Sequence, residues 1–392
     1  MTAELAGHAA APVGAGGAAP ARLQAIEAVP AAEWQALAAA AAEPNPFFDP
    51  AYCLPAFALA ARGGGASALV ARREGKLVGL VPVVSALRAF RLPLPVLVAS
   101  QPYAPLTTPL LSGEDPVGAA EGLLDAARAS GARVLALPVM PLDGVAGKAL
   151  AEALSRRGVR PIHIEVHERA ALDATQDAEI YLRAGLSAKK LKELRRQRNR
   201  LDDEGAVAFT LAETPEDIAA ALERFLVLEA SGWKGLNGTG LGQKQGDAAF
   251  IRAVARDLGR RGAFKVLELT LAGRTIAAGL VLNQGGTAFF FKIAYDETLS
   301  RFSPGVQLTL ELTRLLGDDP AIRCADSTAD AGHPMIDHVW RERIRVADML
   351  VPLQPGDAAA AVSARLLQAR RSLRDGAKRA RNFIKTFKEK RP

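Results

Sequence analysis

Between residues 206 and 326 the spacing of apolar positions changes in a regular order. Residues 206–212, AVAFTLA, alternate apolar and polar, the period of a half-buried strand. In TPEDIAAALERFLVLEA, which follows, Ile218, Leu222, Phe225 and Leu226 recur at helical spacing, with Thr214 set to cap the helix and Pro215 at its first position, where no backbone N–H is needed. A glycine-rich loop, SGWKGLNGTGLGQKQG, leads to a second helix, capped by Asp247 and carrying Phe250, Ile251, Val254 and Leu258 on one face. Three strands come next, FKVLELTLA, RTIAAGLVLN and TAFFFKIAY, joined by turn signals at Ala272-Gly273 and at residues 284–286. SPGVQLTLELTRLL satisfies both periods; Ser303 as a cap and Pro304 at the first helical position decide for a helix. A short strand, AIRCAD, completes the order β-α-α-β-β-β-α-β.

The first half of the chain repeats this plan. ALVARREGKLVGLVPVV at 68–84 aligns with VLELTLAGRTIAAGLVL at 266–282, matching Gly75 to Gly273, Lys76 to Arg274 and Val78 to Ile276 at one constant offset. Two helical stretches (31–42 and 51–62) precede this hairpin. A helix at about 116–129, the strand ARVLALP, a helix near 143–157 and the strand PIHIEV follow it. The pattern predicts a mixed α/β chain built as a tandem duplication, with a basic helix near 187–200 joining the copies.

Composition narrows the possibilities. At 392 residues the chain has room for two cores, and 49% hydrophobic with 23% charged residues is the balance of a soluble globular protein. The first twenty residues lack the basic start and apolar core of a secretory signal, and the run LPLPVLVA is too short and too proline-broken to span a membrane. Cys53 and Cys324 have no ligand-like spacing, which agrees with a reducing, cytoplasmic setting. Charge is uneven. Residues 361–392 hold eleven basic residues against Asp375 and Glu389, more than the net +7 of the whole chain, and KKLKELRRQRNR at 189–200 is a second basic cluster. Both read as solvated faces or as surfaces for a polyanion, either RNA or the inner face of an anionic membrane. With Phe383, Ile384 and Phe387 as a small apolar edge, the tail has too little apolar content for a core and is expected to add little to folding.

The element order resembles the GNAT acyltransferase fold, and the tandem arrangement resembles the FemAB-like and CelD or BioF2-like branch. The similarity is carried by LSAKKLKELRRQRNRLDDEG, LEASGWKG, GTGL, FKIAYDETLSRFSPGVQL and the strand ending at Asp326. It implies a disordered segment 1–22, GNAT-like domains at 23–168 and 169–350, and a basic tail at 351–392. It also implies transfer of an acyl group from acyl-coenzyme A to an amine or hydroxyl of a small molecule, a sugar or a cell-envelope or exopolysaccharide precursor. FemAB-type relatives use aminoacyl-tRNA instead, and a catalytically inactive scaffold is the third alternative. In the fold so implied, the helix after the fourth strand aims its amides at the diphosphate of coenzyme A. Arg301, Ser303, Gly305 and Val306 hold those positions, although Pro304 donates no amide and Val306 stands where a small residue is usual.

Aminolysis of a thioester needs a proton acceptor and a group that stabilises the oxyanion. Lys292, flanked by Phe291 and Ile293, offers a charge beside the carbonyl; Tyr295 is a candidate acid, and Asp296 and Glu297 are candidate bases or turn residues. Asp326 matches the acidic residue that ends this strand in FemAB-like proteins and pairs on paper with His338 as acid and base. His333 and His338 do not have the spacing of a helical metal pair, so no metal is expected. The glycine-rich loop lacks a P-loop ending; it reads as a flap in which Trp233 and Lys234 cover the acceptor, with Glu229 behind, or in which Trp233 simply packs.

Overall fold

Two hairpin turns at matching positions carry the same backbone. Glu74 and Gly75 have φ of 52° and 80°, and Ala272 and Gly273 have 48° and 78°. Positive φ at both central residues is the turn whose twist suits a two-residue hairpin, and glycine at the second position removes the steric cost there. The first turn joins β2 (Ser67–Arg73) to β3 (Lys76–Ser85), and the second joins β9 (Phe264–Leu271) to β10 (Arg274–Gln284). Both hairpins also bulge at equivalent residues: the pairing skips Val78 in one and Ile276 in the other. The duplication read from the sequence is therefore present down to a single irregular residue.

The computed structural model describes residues 22–389 apart from Gln101, Trp233, Lys234 and Leu236; for Asp375 and residues 377–389 it describes the backbone alone. The remaining strands are β1 (Arg22–Ala25), β4 (Val96–Ala99), β5 (Leu110–Leu111), β6 (Val134–Pro141), β7 (Ile162–Asp173), β8 (Val207–Ala212), β11 (Thr287–Tyr295), β12 (Cys324–Asp326) and β13 (Glu342–Pro352). All belong to one mixed sheet in the order β1-β2-β3-β4-β6-β13-β7-β12-β11-β10-β9-β8, with β5 attached to β3. The two ends mirror each other, β1 answering to β8, β4 to β11 and β6 to β12.

The centre breaks the chain order. β7 follows β6 in sequence yet pairs with β12, whereas β13 follows β12 yet pairs with β6. β7 and β13 then pair with each other from Ala171–Glu342 to Ile162–Leu350. Each half thus lends its last strand to the other, and neither presents an unpaired edge at the seam. The boundary expected between residues 168 and 169 lies inside β7.

Helices cover both faces. In the first half these are α1 (Ala31–Ala39), α2 (Pro50–Leu59), the short α3 (Ala86–Phe90), α4 (Pro116–Ala129) and α5 (Val145–Arg156). In the second half they are α6 (Ala178–Gly185), the basic α7 (Ala188–Glu204), α8 (Pro215–Ser231), α9 (Gln245–Gly259) and α10 (Pro304–Asp318). Phe47 and Tyr52, from the first half, pack in one apolar cluster with Phe225, Phe250, Phe289 and Phe291 of the second. On the other face α6, α7 and α10 close over Phe290, Leu308 and Trp340. Asp247 is not the cap expected for α9. Lys244 holds the cap position, and the buried Asp247 carboxylate accepts the Ala61 N–H at 2.8 Å, stitching α9 to the first half.

The C-terminal segment also departs from expectation. Residues 358–389 form one helix, α11 (Ala358–Glu389), whose Ala360, Ala364 and Leu367 recur at helical spacing and are buried in the core of the first half with Leu350 and Val351. Asp357 at its start pairs with Arg133 at 2.6 Å, and Arg371 reaches Asp348 and Glu165. An alternation too weak to announce a core by itself suffices to seal one that already exists. Among the described residues no helix is long and apolar enough to cross a membrane, and no group of three or more His, Cys, Asp or Glu could hold a metal ion.

Leu367→Ala should therefore destabilise the protein by about 2–4 kcal/mol. Leu373→Ala, at a side chain 76% exposed, should stay within about 0.5 kcal/mol of the parent. Urea unfolding of the two variants measures the contrast; equal stabilities would mean that α11 does not pack as described.

Candidate active site

β11 and β12 run parallel but pair only from Thr287–Cys324 to Phe289–Asp326. β11 continues to Tyr295 while the chain after Asp326 turns away at Thr328, whose φ is 49°, so the sheet opens between them. The Thr328 hydroxyl donates to the Phe290 carbonyl at 2.7 Å and closes the vertex. Just past it β11 bulges: Leu280 faces Lys292 and Val281 faces Phe290, with Phe291 unpaired between them. A bulge sends two successive side chains to one face. Here it turns Lys292 toward α8 instead of into the packed face opposite.

Lys292 is 17% exposed, with Nζ 3.8 Å from Glu229 Oε1 and 5.6 Å from the ring centre of Tyr103. The Glu229 side chain is fully buried, and its other oxygen accepts the Leu241 N–H at 2.7 Å. A buried carboxylate without such partners would be expensive. The ammonium and the amide offset that cost, and the pair fixes Lys292 beside the opening.

Tyr103 is delivered by the first half. It lies in the segment 102–107, and its hydroxyl donates to Asp247 Oδ2 at 2.5 Å while its ring stacks on Phe250 with 5.8 Å between centres. Burial, then the Asp247 carboxylate, push the phenol well above its ordinary pKa and keep it protonated. The same segment is anchored by Arg169 of β7, which donates to the Pro105 carbonyl at 2.6 Å and to Asp326 Oδ2 at 2.5 Å. Tyr103, Arg169 and Asp247 are the residues that sequence reasoning missed as parts of the site. For Arg169 a signal existed: its charge directly precedes the buried run Ala170–Leu172. No local pattern marked Tyr103, whose partners lie more than 100 positions away.

The structure brings Glu229 and Lys292 together and separates most of the other predicted residues. Asp326 is 4% exposed; one oxygen faces Arg169 and the other accepts the Thr328 N–H at 2.8 Å. His338 is exposed, and among the described residues no hydrogen bond or ion pair joins it to Asp326. Tyr295 is half-buried against the start of α10. Asp296 caps its own turn. Burial alone would raise its pKa, but hydrogen bonds from Thr298 and Arg274 outweigh that and hold it below the usual carboxylate range. Trp233 and Lys234 lie outside the described residues.

The start of α10 departs from the expected anion seat in several respects. Arg301 is tied to Glu204 at 3.0 Å and lies over the Phe302 ring. Ser303 adopts φ of 52° and makes no side-chain cap, contrary to its expected role, and Pro304 has no N–H to offer. A methyl group on Gly305 would lie 2.8 Å from Met335 Sδ and 3.2 Å from the Tyr295 ring, so these two side chains already occupy the space beside the helix start. Val306 is half-buried in the same cluster.

Residues 188–333 match the family model described as the acetyltransferase (GNAT) domain. Over those residues, which are fewer than half of the chain, the protein is similar to that domain. A conserved protein of unknown function from Bacteroides thetaiotaomicron is 14% identical over 83% of this chain and 98% of its own, with a TM-score of 0.52, and shares the fold. The C-terminal DUF2156 domain of a protein described as a lysylphosphatidylglycerol synthetase, from Agrobacterium fabrum, is 15% identical over 77% of this chain and 88% of its own, with a TM-score of 0.49. FemX is 11% identical over 82% and 96%, also with a TM-score of 0.49. No curated protein sequence matches the chain. Within the second half, the opening beside β11 holds the Lys292–Glu229 pair, and the tandem first half supplies Tyr103.

Asp326→Asn should cost about 3–5 kcal/mol, because it leaves the Arg169 guanidinium buried without its carboxylate. His338→Ala should change stability by less than about 0.5 kcal/mol. Chemical unfolding midpoints compare them, and an Asp326→Asn protein as stable as the parent would show that the ion pair is not a structural anchor.

Proposed function

We propose that the protein is an acyltransferase that moves an acyl group from acyl-coenzyme A to an amine or hydroxyl of a small-molecule, sugar or cell-envelope precursor. The observation that carries this reading is Lys292, which lies on the stretch of β11 beyond its pairing with β12, is turned by a bulge toward α8 and is held there by Glu229. In the reaction the acceptor nitrogen or oxygen attacks the acyl carbon. The carbon–sulfur bond breaks as the new carbon–nitrogen or carbon–oxygen bond forms, and the proton lost by the acceptor ends on the departing thiolate. Negative charge passes through the carbonyl oxygen, and a fixed ammonium in a partly dried cleft lowers the energy of that state. Glu229 is a positioning residue acting through Lys292. Tyr103 walls the ammonium on one side, and its protonated hydroxyl adds no competing charge.

A second reading, transfer from an aminoacyl ester of tRNA, draws support from the start of α10, where Pro304 offers no N–H and Met335 and Tyr295 crowd Gly305, and from the basic surface of α7. RNA that copurifies with the protein and falls away at high salt would favour it.

The test is release of free thiol from a panel of acyl-coenzyme A esters with amine and hydroxyl acceptors. Lys292→Met should lower kcat by about 10²–10³-fold with little change in KM for the thioester, as expected when an oxyanion-stabilising group is removed. A folded Lys292→Met protein with parental turnover, or a parent protein that releases no thiol from any ester, would overturn the reading.

A further inference from the structure

The largest concave space along the open end of the first half lies beside β4, equivalent to β11 in the duplicated plan. β4 and β6 pair only from Val96–Val134 to Val98–Ala136 and then diverge, as β11 and β12 do. The cavity there measures about 700 Å³ and reaches from the α2–β2 loop past Val98 and Ser100 to Tyr103. That volume lies within the usual range for a small-molecule site.

Its walls are basic. Arg62, Arg88 and Arg91 line it, and no carboxylate does among the described residues. Among the described residues no hydrogen bond or ion pair ties the side chain of Arg62 or Arg91, whereas most of the other described arginines are matched to an acid. The three guanidinium groups are exposed and share one cavity, and an anion seated among them would relieve their mutual repulsion.

Arg88 is built into place. The sequence Gly63-Gly64-Gly65 brings bare backbone against its guanidinium, with Gly64 and Gly65 at φ of 84° and 61°. A methyl group on Gly65 would lie 2.7 Å from Arg88 Nη1, and Arg88 Nη2 donates to the Gly63 carbonyl at 2.6 Å. Gly65 leaves room for the guanidinium, whereas Gly63 answers to α2 itself, since a methyl group there would lie 2.5 Å from the Ala56 carbonyl oxygen.

Beyond Phe90, Pro138 and Val139 the cavity meets a second space of about 330 Å³, walled by α11 through Leu367, Arg370 and Arg374. Asp348 also faces that space but is matched by Arg371. Arg370 lies over the Phe90 ring, 5.1 Å from its centre. The two spaces share Phe90, Pro138 and Val139 as a common wall, with arginines on both sides of it, and together are called the groove below.

We propose that this groove binds a ligand bearing a diphosphate, with Arg62, Arg88 and Arg91 on the phosphates and Arg370 and Arg374 extending the cationic wall. Guanidinium forks match phosphate oxygens in pairs, and three of them suit a diphosphate better than a single carboxylate. Its identification as a substrate site rests on the acyltransferase reading, because Tyr103 lies at one end of the groove and also walls Lys292. Two sources share the chemistry: the diphosphate of a coenzyme A donor, or a diphosphate-linked acceptor.

Calorimetric titration of the full chain with inorganic pyrophosphate, coenzyme A and ADP in separate arms tests the proposal. Saturable pyrophosphate binding that weakens with added salt is expected, and the Arg62→Ala/Arg91→Ala double variant should weaken it at least tenfold without lowering the melting temperature. Coenzyme A binding much more tightly than ADP assigns the groove to the donor; equal binding assigns it to an acceptor. Pyrophosphate binding unchanged in the double variant, or lost instead in Arg301→Ala, would overturn the proposal. The same measurement separates it from the acyltransferase reading. Arginine-dependent binding with no thiol release leaves the groove standing and removes the activity, while thiol release with arginine-independent binding does the reverse.

Discussion

The buried ion pair between Arg169 and Asp326 is the contact on which the arrangement of the two halves turns. β12 is only three residues long, and three backbone pairs do little to define a register that a one-residue slip would invert. The ion pair supplies the missing specification. It accepts one alignment of β7 against β12, and a second guanidinium nitrogen, Nη1, donates to the Pro105 carbonyl, which sets the segment carrying Tyr103. A buried ion pair gains little net stability over apolar packing, yet breaking one partner is costly. Its contribution here is to geometry.

From that geometry follows a site that neither half completes. The second half provides the opening beside β11, the bulge, and the Lys292–Glu229 pair; the first half provides Tyr103 and, through Ala61 and Asp247, the contact that holds Tyr103 against α9. Met335 and Tyr295 crowd Gly305 at the start of α10, whereas a cavity lies beside β4. In a duplicated fold each copy has one such opening, and here the two openings differ in what fills them.

Local structure was legible in the sequence because local physics determines it. Both hairpins and the Thr214 and Pro215 start of α8 follow from turn chemistry and period, and Val78 and Ile276, aligned in the sequence, prove to be matching bulge positions. The duplication was visible for the same reason. What could not be read was partnership at long range. Alternation in β7 and β13 marks them as strands without saying which strand each will join, and an isolated Asp at a strand end looks alike whether it is a base or, as with Asp326, one side of a buried pair. Ser303 had the composition of a cap but sits at positive φ, away from the extended backbone of a capping residue, and makes no cap with the first-turn amides. The C-terminal helix misled through composition, since three small or apolar residues are too few to make a core and enough to cover one.

The exchange of β7 and β13 has a consequence for how the chain is made. β6 is complete when Pro141 leaves the ribosome, but the strand that pairs its far edge begins at Glu342, about 200 residues later. At translation rates of roughly 5–20 residues per second, that edge waits on the order of 10–40 seconds. During the wait it is a bare strand with unsatisfied N–H and C=O groups. The first half therefore cannot finish folding as an independent unit during synthesis, and its most exposed interval comes while the second half is still being built.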